Sequence, residues 1–407
     1  MITEPVVFNP FDPVWRSDPY PYYRRLRAEA PVGQVPGLPI WYLARYADCE
    51  TVLRDRRASS DTRNSELYRM LEESSGLQMP GDILKRRSFL LLDPPDHTRL
   101  RGLVASAFTP RVVDRLRSRI QDITDQLLDA AAAGPGRMDI VDDLAYPVPF
   151  TVICELLGVP LEDQPRFRAW SKVLGASIDP QLNASPEVVE RQIAAMRENM
   201  QYFEALIEES RRHPTDNLLR ALIDAEQDGD RLSLDELVAT LVLLVAAGHE
   251  TVVMLIGNAV LAFLQHPDQL RRLMADPGLA HNAIEEVLRW DPPVQLTQRI
   301  ALDDLEVAGH TIPSGTPIAL LLAAANRDES HVVDGERFDI TRREIHHLGF
   351  ASGPHYCLGA ALARIEGEIV LRSLFGRFPK VRLAQGQDVR YRDTMVMRGL
   401  EAFPVEI

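Results

Sequence analysis

The sequence predicts a mainly helical protein with small β-sheets, on three observations. One apolar helical run extends from a capping box at Ser233-Leu-Asp-Glu236 to a proline stop at His266-Pro267. Helical spacing of apolar residues recurs over most of the chain, and the segments with strand-like alternation, near 31–44, 294–325 and 381–407, are each short.

The length of 407 residues taken alone suggests two or three domains. No Ser/Gly/Pro-rich linker, low-complexity run or internal repeat divides the chain, so we expect one domain over 1–407: a helix-rich body with a small β-rich part from N-terminal and C-terminal strands. At 45% hydrophobic residues it can bury a sizeable core. The opening Met-Ile-Thr-Glu-Pro-Val-Val-Phe has neither a basic signal region nor an anchor helix, from which we expect a soluble, cytoplasmic protein. A net charge of −14 argues against nucleic acid or an anionic membrane as partner, while leaving room for a local basic face. Cys49, Cys154 and Cys357 lie far apart and form no pair motif, so no disulfide framework is expected.

In chain order, the Pro-rich segment 5–20 reads as an extended arm, 20–29 as a short helix, 31–44 as strands and 46–57 as helix. Residues 58–90 are irregular, either a mobile loop over a pocket or a plain surface loop. Asp93-Pro94-Pro95-Asp96 starts a helix. On it His97 and Arg101, four residues apart, share a face and suit a pair of carboxylates at the edge of a flat ligand; the alternative is a solvated basic face. From 97 to 119 six arginines stand against one acid, Asp114, a local positive face that could dock an acidic partner. Helices over 111–133 and 147–157 flank a strand at 138–141. Between 162 and 212 two or three helices break near 177–180 and 185–186, and Leu182 could face a substrate.

The long helix is apolar over 237–245 and 252–264, so it is either buried or, as a rival, transmembrane. Gly248-His249-Glu250-Thr251 interrupts it at the centre, and its N-terminal flank is acidic, which argues against the membrane. An acid beside a hydroxyl within a buried helix is costly unless paired, which marks a chemical site or a satisfied polar kink. Further on, 279–290 is a helix with Glu286 and Arg289 on one face, 294–300 a strand, and 394–397 a hairpin that could reach a substrate.

The stretch Phe350-Ala-Ser-Gly-Pro-His-Tyr-Cys-Leu-Gly359 places Cys357 where a loop becomes a helix over 358–375. The helix dipole and unpaired N–H groups there favour a thiolate, a nucleophile or metal ligand, whereas a lone cysteine is otherwise a small buried hydrophobe. Gly353 and Gly359 let a flat ligand approach the backbone. The stretch resembles the haem-binding loop of the cytochrome P450 family, Phe-Gly-x-Gly-x-His-x-Cys-x-Gly, with Ala351 in place of the second glycine.

That resemblance extends over nearly the whole chain and implies a soluble bacterial-type cytochrome P450 fold, with haem b (iron protoporphyrin IX) held between the long central helix and the Cys-bearing helix. It implies Cys357 as the axial thiolate that pushes electron density toward O–O cleavage. His97, Arg101, Arg299 and His355 would anchor the haem propionates, with Phe350 and Gly359 against the ring. Ala246-Ala247-Gly248-His249-Glu250-Thr251 resembles the family's oxygen groove, where Ala247 and Gly248 make room for O2 while Glu250 and Thr251 steer protons; Val252 stands where many relatives have a second threonine. Glu286, Arg289 and Arg342 would form a buried structural group. The implied enzyme is a monooxygenase, monomeric, taking two electrons from ferredoxin and ferredoxin reductase to hydroxylate a mid-sized, mostly apolar secondary metabolite. Epoxidation, demethylation, desaturation or phenol coupling by the same haem, or a haem scaffold without catalysis, are the other readings.

Overall fold

The computed structural model describes residues 6–9, 18–75, 80–107, 110–175, 185–227, 230–386 and 389–407. Its chain forms two compact units: Met1–Ala58, Arg117–Val148 and Thr251–Ile407 make the first, and Ser59–Leu116 with Pro149–Glu250 make the second. Leu182 and the expected break at 177–180 lie outside the described residues.

In the first unit Trp41–Leu43 pairs antiparallel with Val32–Gln34 and parallel with Pro317–Leu320, which pairs in turn with Thr297–Ala301 in antiparallel register. One face of this sheet packs with the Tyr20–Glu29 helix through Tyr20, Tyr23, Leu26, Tyr42 and Leu321. The other face meets the Tyr46–Arg54 helix through Cys49, Val52, Leu53, Ile318 and Leu320. This is the alternation of side chains along a strand put to use on two faces. A second small sheet joins Arg382–Leu383, Pro404–Glu406 and Arg137–Asp139.

Two expected strands are shorter than their apolar patterns. The strand expected over 138–141 ends at Asp139, whose carboxylate accepts the N–H groups of Val141 and Asp142 and starts a π-helical turn, Ile140–Ala145. The strand expected over 294–300 begins only at Thr297, because the Gln295 N–H turns away to the Val396 carbonyl, 2.9 Å distant, and Val294 bridges Met397.

The second unit is helical. An aromatic cluster of Phe150, Phe167, Trp170, Tyr202 and Phe203, in edge contacts of 5.0–6.0 Å, joins the Pro147–Leu157, Gln164–Gly175 and Pro186–Arg212 helices. Residues 58–90 are more regular than expected, with helices Glu66–Ser75 and Gly81–Leu84 and turns Thr62–Asn64 and Phe89–Leu91. Arg87 ties this segment down with two hydrogen bonds, 2.8 and 2.7 Å, to Asp61.

The central helix, Leu234–Gln265, has 32 residues, about 48 Å at 1.5 Å rise per residue. Ser233 and Glu236 cap it reciprocally, the Ser233 N–H donating to Glu236 at 2.8 Å and the Glu236 N–H to Ser233 Oγ at 3.3 Å. It is long and apolar enough to cross a membrane, but its side chains from Val252 to Phe263 include ten that are buried core, with Phe263 edge-on to Phe338 and Phe375 at 5.5 Å. Protein packing accounts for its apolarity.

Candidate functional site

The loop at 348–359 is shaped by local backbone chemistry. Ala351 takes a left-handed φ of 58°, and its N–H donates to the Leu348 carbonyl at 2.8 Å, closing a tight turn. Gly353, at φ 70°, lies where a Cβ would sit 2.6 Å from the Leu53 carbonyl oxygen, so only glycine fits. A 3-10 turn, Gly353–His355, follows, and the Cys357 N–H donates to the Phe350 carbonyl at 2.9 Å. Helix Ala360–Arg377 then begins with Gly359 at its N-cap.

Cys357 is exposed, whereas Cys49 and Cys154 are buried. Burial pushes the Cys49 thiol far up and that of Cys154 to about 12, so both are inert core thiols. Of the three, Cys357 alone stands open at a helix start, where a thiolate is favoured. Beside it, a Cβ on Gly359 would meet nothing within 4 Å, leaving space against the backbone.

On the central helix Ala246 and Ala247 are exposed although Leu241, Val245 and Val252 nearby are buried, Gly248, Glu250 and Thr251 are half-buried, and His249 is buried edge-on to Phe150 at 5.5 Å. His249 Nδ1 lies 3.8 Å from a Glu250 carboxylate oxygen. The helix is continuous through these residues.

His97 is 2% exposed, with Phe89 at 6.4 Å between ring centroids, and Arg101 is half-buried one turn later. Arg99 points elsewhere, to Asp230 at 3.1 Å and to Glu236. In the first unit Arg117 pairs with Glu368 at 3.7 Å, so at least two of the six arginines expected to form a docking face are engaged within the protein. Arg299 is buried and donates Nη1 to the Gln298 carbonyl at 2.7 Å. His355 is half-buried in its 3-10 turn. Thus Thr251, Arg299, Phe350, His355, Cys357 and Gly359 belong to the first unit, and His97, Arg101, Ala247, Gly248 and Glu250 to the second.

The structural group stands as the sequence implies. Arg289 donates to both oxygens of Glu286, at 2.7 and 2.8 Å, and Arg342 Nε donates to Glu286 Oε1 at 3.1 Å. The Asp339 N–H adds a bond of 2.8 Å to Glu286.

Sequence reasoning missed three residues around the cysteine loop. Glu285 accepts Arg364 Nε at 2.6 Å and Nη2 at 3.0 Å, and lies 3.3 Å from His347 Nε2. Burial pushes the Glu285 carboxyl up, but hydrogen bonds from His347 and Arg364 and the Arg364 charge outweigh it and hold it at about 2. An acid next to Glu286 and an arginine in the following helix carry no pair spacing, so nothing local signals the contact. Glu366, on the Ala360–Arg377 helix, is 1% exposed, and burial raises its carboxyl well above the ordinary range.

In the first unit the exposed thiol at an open helix start and the backbone space at Gly359 suit the sulfur ligand of a flat iron-bearing macrocycle, as in the haem-thiolate class. Comparison with known proteins agrees. The family model for cytochrome P450 matches residues 63–277 and 278–401. The chain is 44% identical over 400 residues to a vitamin D(3) 25-hydroxylase of Pseudonocardia autotrophica, covering 97% of this chain and 95% of that one. It is 39% identical over 399 residues to a 6-deoxyerythronolide B hydroxylase of Saccharopolyspora erythraea, with 96% of each covered. Ligand-free CYP164A2 of Mycobacterium smegmatis superposes with a TM-score of 0.88 at 43% identity over 98% of both chains. The chain belongs to the cytochrome P450 family and has its fold. It is an oxidoreductase, a haem-thiolate monooxygenase that takes O2 and electrons from a redox partner.

Proposed function

We propose that this monooxygenase hydroxylates a mid-sized, mostly apolar secondary metabolite in the cytoplasm, as a monomer, with haem b as its cofactor and with electrons from ferredoxin and ferredoxin reductase. The observation that carries the proposal is Cys357, exposed at the start of the Ala360–Arg377 helix on a loop closed by its own N–H bond to Phe350. The relatives named for hydroxylating vitamin D(3) and 6-deoxyerythronolide B support a substrate of this kind. The family match extends over parts of both compact units, which supports one catalytic domain over 1–407.

When bound, haem supplies the iron at which O2 is reduced and cleaved. Cys357 would provide the sulfur ligand to the iron, with Phe350 and Gly359 against the macrocycle. His97, Arg101, Arg299 and His355 would pair with its propionates, each a charge-assisted contact. Ala247 and Gly248 carry too little side chain to fill the space beside the helix. The Glu250 carboxyl and the Thr251 hydroxyl would hold and pass protons beside this stretch of helix.

The test is product mass after turnover with ferredoxin, its reductase and a library chosen by spin-state change on binding. A product heavier by one oxygen is expected. Loss of two hydrogens, or coupling of two phenols, would replace hydroxylation by another reaction of the same class, and the absence of any turnover would favour a haem scaffold.

A further inference from the structure

Glu285 and Glu286 are neighbours on the Ala280–Trp290 helix, yet they serve different partners. Glu286 is enclosed with Arg289, while Glu285 reaches the loop that carries Cys357. Arg364 grips Glu285 with two hydrogen bonds, and its guanidinium carbon lies 4.7 Å from the centroid of the Phe350 ring. A third nitrogen, Nη1, reaches the Tyr356 hydroxyl at 3.4 Å. The ring of His347 lies 5.7 Å from that of Phe350, on which Tyr356 also packs edge-on at 6.3 Å.

The His347 tautomer follows from its two contacts. The Gly349 N–H donates to Nδ1 at 3.1 Å, so the ring proton is on Nε2, which donates to Glu285. A Cβ on Gly349 would fall 2.7 Å from the Leu288 carbonyl and 3.2 Å from His347 Nδ1, so the loop lies directly on the helix of Glu285. A cleft of about 520 Å³ opens beside the loop, bordered by Arg54, Glu285, His347, Ser352, Tyr356 and Arg364. There polar contacts, Arg54 to Ser352 at 2.9 Å and Arg364 to Glu285, hold the loop beside the core packing of Leu348.

We propose that Glu285 is a positioning residue for the axial cysteine. It holds Arg364 and His347 against Phe350, and Phe350 in turn fixes Cys357 through the bond from the Cys357 N–H to its carbonyl. Groups that orient a metal ligand from outside its coordination sphere are worth roughly 10–100-fold in affinity for the metal group. This inference rests on the haem-thiolate reading above.

The experiment separates the two. Wild-type holoprotein, reduced under carbon monoxide, must first show the long-wavelength Soret band of thiolate ligation; if it does not, the haem-thiolate reading fails. Glu285→Gln, Arg364→Lys and the double variant are then compared for haem transfer to excess apomyoglobin and for the fraction of long-wavelength band. Arg364→Lys keeps the charge but loses the two-pronged contact. Glu368→Gln, on the same helix as Arg364 but paired with His281 at 2.8 Å, is the control.

Each single variant should release haem roughly tenfold faster and convert part of the band to the short-wavelength form. The double variant should be no worse than the more affected single one, because both remove the same contact. Glu368→Gln should behave as wild type. If Glu285→Gln gives no holoprotein, Arg364→Lys carries the comparison alone. Variants of native far-UV circular dichroism that release haem at the wild-type rate, or effects that add in the double variant, overturn the proposal.

Discussion

Glu286 and Arg289 face each other across one turn of the Ala280–Trp290 helix with no solvent access to either side chain. Arg289 spends its remaining nitrogen capacity on the carbonyls of Asn326, Gly335 and Arg337, at 3.1, 2.7 and 2.9 Å. A fully desolvated cation is tolerated because every direction it can donate in is filled.

Glu286→Ala therefore leaves Arg289 buried without its counter-charge, and Arg342 without its carboxylate partner. The expected loss is about 3–5 kcal/mol of folding free energy, read from urea denaturation of the holoprotein. A loss below ~1 kcal/mol, the scale of an exposed pair, would show that the charge is not enclosed.

Ala351→Gly tests the strained turn of the cysteine loop. A non-glycine residue in the left-handed region costs roughly 1–2 kcal/mol, and glycine gives back about 0.4–1 kcal/mol through the entropy of the unfolded chain. The substitution should stabilise the protein by up to about 1 kcal/mol, raising the urea midpoint without changing the slope. A marked destabilisation would mean that the methyl group's packing outweighs the backbone strain.

Thr251→Ala removes the hydroxyl proposed to hold a proton, while leaving Cys357 and its loop untouched. Product formed per electron delivered should fall, roughly a hundredfold for loss of a proton-transfer group, with peroxide released instead, and the reduced carbon monoxide spectrum should stay as wild type. Full coupling in Thr251→Ala would remove it from proton delivery, and Glu250→Gln would then be measured in the same way.

Acid stability should report Glu285. Its carboxyl is held at about 2 against an ordinary 4.5, so its contribution is complete above about 4.5 and is lost as pH falls toward 2. The stability difference between wild type and Glu285→Gln should be constant at neutral pH and shrink across that window. A difference that stays constant down to pH 2 would mean that the carboxylate is not held by His347 and Arg364.

Much of this was legible in the sequence. Helix limits with chemical punctuation came out well: the Ser233 capping box and Pro267 fix the central helix at Leu234–Gln265, and Asp93-Pro94-Pro95-Asp96 starts the helix that begins at Asp96. The spacing of Glu286 and Arg289 put both on one face, although only the family resemblance pointed to their burial. Where tertiary partners decide, sequence was mute. Gln295 leaves its apolar run to pair with Val396, and Asp139 ends its strand by capping a turn, both through contacts that no local pattern encodes.

The surroundings of the cysteine were half legible. Gly353 and Gly359 marked backbone access, and the structure gives the first a positive φ and the second open space. Ala351 stood out as a departure whose consequence needed the backbone angle. Glu285, Arg364 and His347 were invisible because they meet across 62–79 residues of chain. The acidic partners of Arg99 and Arg117 were hidden for a related reason, being distant in sequence.

The most direct measurement is the reduced carbon monoxide spectrum of the purified protein and of Cys357→Ala. The account predicts a long-wavelength Soret band in the wild type that disappears in Cys357→Ala, while far-UV circular dichroism shows the helices retained. A wild-type protein without that band, or a Cys357→Ala variant that keeps it, would contradict the assignment of Cys357 as the axial thiolate.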